Sequence, residues 1–437
     1  MINKKNARSI MFTLLICSQN LSAWWGSNSE LPYDIFQRQS SPIRDNIDWD
    51  ATDSTYHLNG GVASNFLFDG DGRDKNGNRV GVYQIYSPKD AKGRAVESLG
   101  AVEEGAGVIN PENDFATRFG SLSNADLGDV IINGTRGEAH FNLWGSISLP
   151  LKKIAGTVRF TSFLPIKSIS TSKTSLASVN AANNISPSIL DLTENGIAKE
   201  LNKVANLQVS SWKNDNFFGD LYLLLSWHNV FEQSNDIVQK VGLSAQVGAT
   251  IPLSAVNGYK NIYSIPSGAD GAWGVPFSAG VDVYLKDNFR VFGGVDIYKL
   301  FNDNNLRRIR SSANQGSTLV PEAVRVNRKG GTLFRLSASA EVTSNTKMFW
   351  AGMGYQYGKK SAQTISVNTL KYSPTVVNAS ERWQEAEYHN ALVYMGIDLT
   401  QYIEKFAPCV NFSMQYPFKG TRIALFKSLG IELTLKI

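Results

Sequence analysis

"FSAGVDVYLKDNFRVFGGVDIY", residues 277 to 298, decides the fold. Phe277, Ala279, Val281, Val283 and Leu285 alternate with Ser278, Gly280, Asp282 and Tyr284, and after Lys286, Asp287 and Asn288 the alternation resumes. There Phe289, Val291, Gly293, Val295 and Ile297 form one row, and Arg290, Phe292, Gly294, Asp296 and Tyr298 the other. A period of two is that of a strand, whose side chains point to opposite faces in turn. A three-residue turn sets Tyr284 opposite Arg290 and Ser278 opposite Asp296, so the two apolar rows share one face of a hairpin.

The segment 332–358 repeats the pattern. Phe334, Leu336, Ala338, Ala340 and Val342 face one way on the first strand, and Phe349, Ala351, Met353, Tyr355 and Tyr357 on the second. A two-residue turn at Ser344 and Asn345 pairs 340 with 349 and 338 with 351, which again puts both apolar rows together. Similar segments lie at 55–68, 139–149, 154–165, 204–213, 217–230, 239–251, 389–399, 407–416 and 421–437, so that thirteen strands can be read in all.

An alternating pattern fits either a half-solvated antiparallel sheet or a barrel in lipid. Many of the strands reach lengths beyond the globular mode of about 5 to 6 residues, whereas about 9 to 11 tilted residues cross a bilayer. Aromatics gather at strand ends, as at Tyr56, Phe66, Phe68, Trp227, Tyr355, Tyr357 and Tyr416. Tight connections near 151, 213–216, 286–288 and 344–345 alternate with long ones at 69–138, 166–203, 301–330 and 359–388. Closing a bacterial barrel requires an even strand count. Placing every tight turn on one side nominates a further strand between 252 and 274, at "GYKNIYSI", 258–265. The expected architecture is therefore an all-β, transmembrane, antiparallel up-and-down β-barrel of about 14 strands, between about 12 and 16, with long outer loops. One short loop helix is expected at 187–205, where Ile189, Leu192, Ile197, Leu201 and Val204 form an apolar stripe after Pro187.

The first 23 residues carry Lys4, Lys5 and Arg8, then the apolar "IMFTLLIC" at 10–17, then small residues ending at Ala23. That order is a secretory signal, and its apolar core is too short to span a bilayer. Residues 24–54 are expected to be a periplasmic extension or an internal plug, and 55–437 the barrel. The net charge of +5 loses three positive charges with the signal, which removes support for nucleic-acid binding. Of the two cysteines, Cys17 leaves with the signal and Cys409 stays alone, so closure and packing must supply the stability that a disulfide cannot.

"SLGIELTL", 428–435, with Ser428, Gly430, Leu433 and Leu435, resembles the terminal assembly signal of bacterial outer-membrane β-barrel proteins, although the chain ends in Ile437 where those proteins usually end in an aromatic. The resemblance is porin-like in architecture, covers 55–437 and identifies no subfamily. It implies location in the outer membrane, insertion by the barrel assembly machinery, and contact with membrane lipid and lipopolysaccharide.

If the sheet closes, the row opposite the apolar one lines the lumen, and its charged members Arg159, Asp282, Arg290, Asp296, Arg335 and Glu341 become candidates for selectivity. Asp220, Asp398 and Glu432 are further lumen candidates, and pairing across the wall is the plainer role for any one of these charges. The loop 301–330 concentrates Arg307, Arg308, Arg310, Arg325, Arg328 and Lys329 against Asp303 and Glu322. Folded inward, this cluster favours anions; left outside, it meets acidic lipopolysaccharide or water. "DGDGRDKNGN", 69–78, has Arg73 and Val80 where a calcium loop needs ligands, so it is a polar turn and no metal or other cofactor is called for.

No G-x-S-x-G, H-E-x-x-H, paired-cysteine or phosphate-loop motif occurs, and His57, His140, His228 and His389 are scattered, so an enzyme is not expected. The leading expectation is a porin-like channel for passive diffusion of small polar solutes, biased toward anions. The alternatives are a plugged transporter for hydrophobic compounds and a surface adhesin presented on a barrel.

Overall fold

The computed structural model of the protein describes residues 57–85, 90–91, 129–149, 156–179, 198–199, 202–203, 206–214, 217–234, 236–254, 260–265, 268–285, 288–311, 320, 322–369, 371–399 and 407–436. The expected signal (1–23) and extension (24–54) lie outside them, as does most of the helix expected at 187–205, of which 198–199 and 202–203 are helical.

Among the described residues twelve long strands form one antiparallel sheet. They are β1 (His57–Arg73), β2 (Asp129–Leu149), β3 (Thr157–Val179), β4 (Leu221–Glu232), β5 (Val238–Ile251) and β6 (Gly274–Leu285), then β7 (Phe289–Leu300), β8 (Thr332–Thr343), β9 (Phe349–Lys360), β10 (Ala386–Asp398), β11 (Ala407–Thr421) and β12 (Ile423–Lys436). Each pairs with its successor, and β1 pairs with both β2 and β12. Asn59 faces Ser146 on one side and Lys436 on the other, so the sheet closes on itself.

The even count comes from losing a strand, not from gaining one. Of the expected strand 204–213, only Trp212–Lys213 pairs, with Thr171 and Ser170 of β3. Of the nominated strand 258–265, the described part is a turn in which Asn261 Oδ1 accepts the Tyr263 N–H at 2.9 Å and the Asn261 carbonyl accepts that of Ser264. A single parallel bridge, Gln208 to Asn261, joins these two segments. Both pack against the upper part of β2 and β3, which run 21 and 23 residues where β6 to β9 run 12. Both segments thus find their partners outside the wall.

The connections segregate as expected. β2–β3, β4–β5, β6–β7, β8–β9 and β10–β11 are joined by short segments at one end, and the long segments gather at the other, where the short β11–β12 turn also lies, with Arg422 at φ 50°. The 213–216 segment, expected as a tight turn, belongs to the long-loop end, and the tight turn after β4 is at 233–237 instead.

The hairpin of β6 and β7 has the expected register, Tyr284 to Arg290 and Ser278 to Asp296. That of β8 and β9 does not: Ala340 faces Met353 and Ala338 faces Tyr355. The turn is longer than two residues, with Ser344 paired to Phe349 and Lys347 in the left-handed region at φ 54°. The slip is an even number of residues, so every side chain keeps its face.

At the long-loop end, the strands Asp303–Arg308, Ala323–Lys329 and Thr364–Val367 make a separate three-stranded sheet. With the helix α1 (Pro374–Asn378), it closes a small core of Ile309, Val326, Ile365, Tyr372, Val377 and Trp383. This cap is tied to the barrel rim by Arg422 on Glu381 and by the Gln363 N–H on the Trp383 carbonyl.

Candidate functional site: the charged lumen and its mouth

The two faces of the wall are inverted relative to a water-soluble protein. Outward residues such as Leu243, Phe277, Val281, Leu336 and Val393 are 39 to 51% exposed, while inward Asp282 and Arg335 are 0% and 2% exposed. Burying those ions while presenting a continuous apolar belt makes sense only where the solvent outside is hydrocarbon. The chain is a membrane-spanning β-barrel.

All six lumen candidates point inward and are buried: Arg159, Asp282, Arg290, Asp296, Arg335 and Glu341. They are paired within the wall. Arg290 Nε donates to Asp282 Oδ1 at 3.1 Å, its guanidinium lies 4.7 Å from the centre of the Tyr284 ring, and Glu341 is directly opposite it on β8. Arg335 donates to Asp296 from Nε at 2.8 Å and from Nη2 at 2.6 Å, the two residues being direct cross-strand partners. Arg159 Nε approaches Ser148 Oγ at 3.4 Å. Asp398 is also buried, and Asp220 sits just before β4 at the mouth.

A further charged row on β2, in which Glu138 pairs with Arg136 and with His140 at 2.9 Å, was missed from sequence because the strand was begun at 139. The period of two through Arg136, Glu138 and His140 was the available signal.

Aromatic rings also face inward, but they lie along the wall. Trp350 is directly opposite Gly396, Tyr394 opposite Gly352 and Tyr388 opposite Gly358, and each ring occupies the space where a Cβ on that glycine would sit. Phe292 does the same over Gly294, 2.6 Å from the Cβ position. Toward the long-loop end, Trp144, Phe163, Tyr222, Leu300, Leu333 and Tyr388 belong to one apolar cluster drawn from strands around the barrel.

The mouth is crossed by the segment 268–273. At the wall it is held by Asp220, which accepts the Ala269 N–H at 2.6 Å and the Ser254 hydroxyl at 2.6 Å. On the other side the loop sheet holds it: Arg307 pairs with Asp270, Arg328 Nη2 donates to the Ala269 carbonyl at 2.9 Å, and Arg307 Nη2 donates to the Asp270 carbonyl at 3.0 Å. Asp303 completes the cluster, 2.7 Å from Arg307 and in contact with Arg328. Burial pushes the Asp303 carboxyl up in spite of Arg328, and burial followed by the charges of Arg328 and Arg382 pulls the Arg307 guanidinium down. Desolvation thus works against both ions of the pair.

The six basic residues of the loop therefore separate. Arg307 and Arg328 turn inward and are balanced by Asp270 and Asp303, whereas Arg325 and Lys329 point to solvent from the alternate positions of their strand. Arg308 and Arg310 are half-buried, reaching the carbonyls of Asn206 and Ala379. Within the terminal stretch, Ser428 and Gly430 face inward and Leu433 shares the outward side with Leu429.

No family model and no curated protein matches the sequence. Among solved structures, the chain is similar to an outer membrane channel from Pseudomonas putida F1, with 11% identity, a TM-score of 0.48, and coverage of 89% of this chain and 98% of that one. It is also similar to the NanC porin (7% identity, TM-score 0.30, 70% and 99% covered) and to the outer membrane channel DcaP of Acinetobacter baumannii (7%, 0.24, 88% and 96%). At these levels of overlap no solute or mechanism passes from those proteins to this one.

Proposed function

We propose that the protein is a channel of the bacterial outer membrane for small polar solutes, with its tight turns toward the periplasm and its cap outside. What supports this reading is a closed lumen lined by charged and polar rows, too wide at twelve strands for a side-chain-filled barrel of about eight. The inward rings of Trp350, Tyr394, Tyr388 and Phe292 lie along the wall over glycines. The segment 268–273 at the mouth then sets the flux. Insertion by the barrel assembly machinery, through the stretch ending in β12, and contact of the exposed Arg325 and Lys329 with lipopolysaccharide belong to the same proposal. An anion bias rests on these two exposed residues and on Arg308 and Arg310, because Arg307 and Arg328 are balanced by carboxylates.

Single-channel recording of the refolded chain in a planar bilayer under a KCl gradient tests it. Stepwise currents whose reversal potential has the anion sign, and moves toward zero in Arg325→Gln/Lys329→Gln, are expected. A folded chain that never conducts under any voltage sinks the channel.

One observation favours a second reading, a transporter for hydrophobic compounds: the inward apolar cluster that includes Trp144, Phe163 and Tyr222. Quenching or enhancement of tryptophan fluorescence by a hydrophobic ligand, lost in Trp144→Leu and absent with polar solutes, would select it.

A further inference from the structure

The cluster that holds the strap 268–273 is built like a ligand site already occupied from within. Two guanidinium groups, Arg307 and Arg328, each 5% exposed, converge on Asp270 of the strap and on Asp303 of their own sheet. Arg328 Nη1 lies 3.5 Å from the same Asp270 carboxylate oxygen that pairs with Arg307. Arg382, on the short helical turn Glu381–Trp383 of the cap, adds a third positive charge nearby. Arg307 Nε is a buried N–H that meets no acceptor among the described residues, so the guanidinium keeps a donor that Asp270 and Asp303 do not take up. A planar guanidinium with a spare donor is matched by a carboxylate, which accepts two hydrogen bonds side by side.

The strap itself is held in an unusual conformation. Asp270 has φ 58° and Gly271 φ 82°, so a non-glycine residue sits in the left-handed region at the very position that makes the ion pair. Such a conformation persists where surrounding contacts impose it. Here those contacts are the two arginines on one side and Asp220 on the other. Removing the Asp270 carboxylate from the arginines removes their charged hold on the strap and leaves the hydrogen bonds to the Ala269 and Asp270 carbonyls.

We propose that Arg307 and Arg328 form a carboxylate-binding site in which Asp270 is the resident occupant. A solute carrying a carboxylate displaces Asp270, taking the spare Nε–H as well, and so frees the strap from the mouth. Opening is thereby coupled to the arrival of an anionic solute, as two ligands competing for one pair of cations. The inference deepens the channel reading but does not need current to be seen.

The test uses the full chain refolded in detergent with Ala272→Cys in a Cys409→Ser background, because Ala272, in the strap itself, is 1% exposed while the strap is held. Labelling by a bulky maleimide is timed in succinate and in chloride at matched ionic strength. Succinate is expected to speed labelling about tenfold, within the ordinary range of coupling between a ligand and a two-state element. Adding Asp270→Asn should make labelling fast in either salt. Equal rates in succinate and chloride, or an Asp270→Asn chain that labels as slowly as its parent, overturns the site. Should Ala272→Cys fail to give a heat-modifiable folded band, Ser254→Cys, buried beside the Asp220 carboxylate that anchors the strap, replaces it. Succinate-dependent labelling in a chain that stays electrically silent upholds this inference while sinking the channel; currents with no succinate effect on labelling do the reverse.

Discussion

Tyr388 lies over Gly358, and the glycine has no side chain because the ring needs the room. A Cβ at position 358 falls inside the ring, so Gly358→Ala must lift Tyr388 off the wall and into the lumen. Overpacking of this kind costs about 1 to 3 kcal/mol. The expected outcome is a lower urea midpoint for loss of the heat-modifiable band, with little change for Gly293→Ala, whose Cβ would meet nothing closer than Val281 at 3.9 Å. The pair Asp296–Arg335 invites a second experiment. Arg335→Leu alone leaves a buried carboxylate and should destabilise by about 3 to 5 kcal/mol, while Asp296→Leu/Arg335→Leu should recover most of the loss. Urea midpoints of the two singles and the double decide it; an additive double would mean that the pair is not coupled. At this scale the sequence told which residues turn inward, since parity alone settles that. It did not tell which glycine lies under which ring, because Trp350, Tyr394 and Tyr388 meet their glycines across β9 and β10, whose register is set by the long connection between Lys360 and Ala386 and not by a countable turn.

Elements were legible where the wall is regular and illegible where it is not. The β6–β7 hairpin could be read to the residue because the three-residue connection left no slack. The segment 204–213 carries the same alternation and 258–265 is nominated by strand parity alone, yet both end as loop pieces on the tall β2–β3 hairpin, since alternation reports a two-faced environment and not membership of a particular sheet. Of the stretch 69–78, residues 69–73 continue β1 and 74–78 make the polar turn. Burial opposes the charge on Asp74, but the N–H of Asn78, its side-chain amide and the N–H of Asn76 outweigh burial and hold the carboxyl below its ordinary value. A depressed folded value means the stabilisation is present above the unfolded value, 3.8, and is lost as the pH falls through the lower folded one. Wild type should therefore protect the Asn78 amide roughly fivefold better than Asp74→Ala near neutrality, about 1 kcal/mol, with the gap closing in strong acid. Amide exchange of the two chains referenced to an unstructured peptide at each pH checks it.

For the whole molecule, the decisive property is the inversion of its surface. Leu336 sits near the middle of β8 on the outward side, 45% exposed. An arginine there is placed in hydrocarbon and should cost about 2 to 4 kcal/mol in a bilayer, while Leu336→Met should be nearly silent. Folding efficiency into lipid vesicles, compared with detergent micelles, separates that penalty from any loss of packing. This belt was fully legible from the alternating rows, and so was the requirement for an even strand number. The split of the loop arginines was not: Asp270, which neutralises two of them, is more than thirty residues upstream in a different loop, and no local pattern joins it to Arg307 and Arg328.

The closing contact of the barrel is between its earliest described strand and its last. β1 finds β2 and also needs β12, with Val62 set against Leu433 and Gly60 against Leu435. Until β12 is in place, the sheet is a ribbon with two open edges, and every pairing made before then is between neighbours in the chain. The seam is the one step that must bring nearly the whole length of the polypeptide into a loop, so it is the slow step and the last. Synthesis that stalls before residue 423 therefore yields a product that cannot be finished, exposing edges that invite other strands and giving the cell a reason to destroy it.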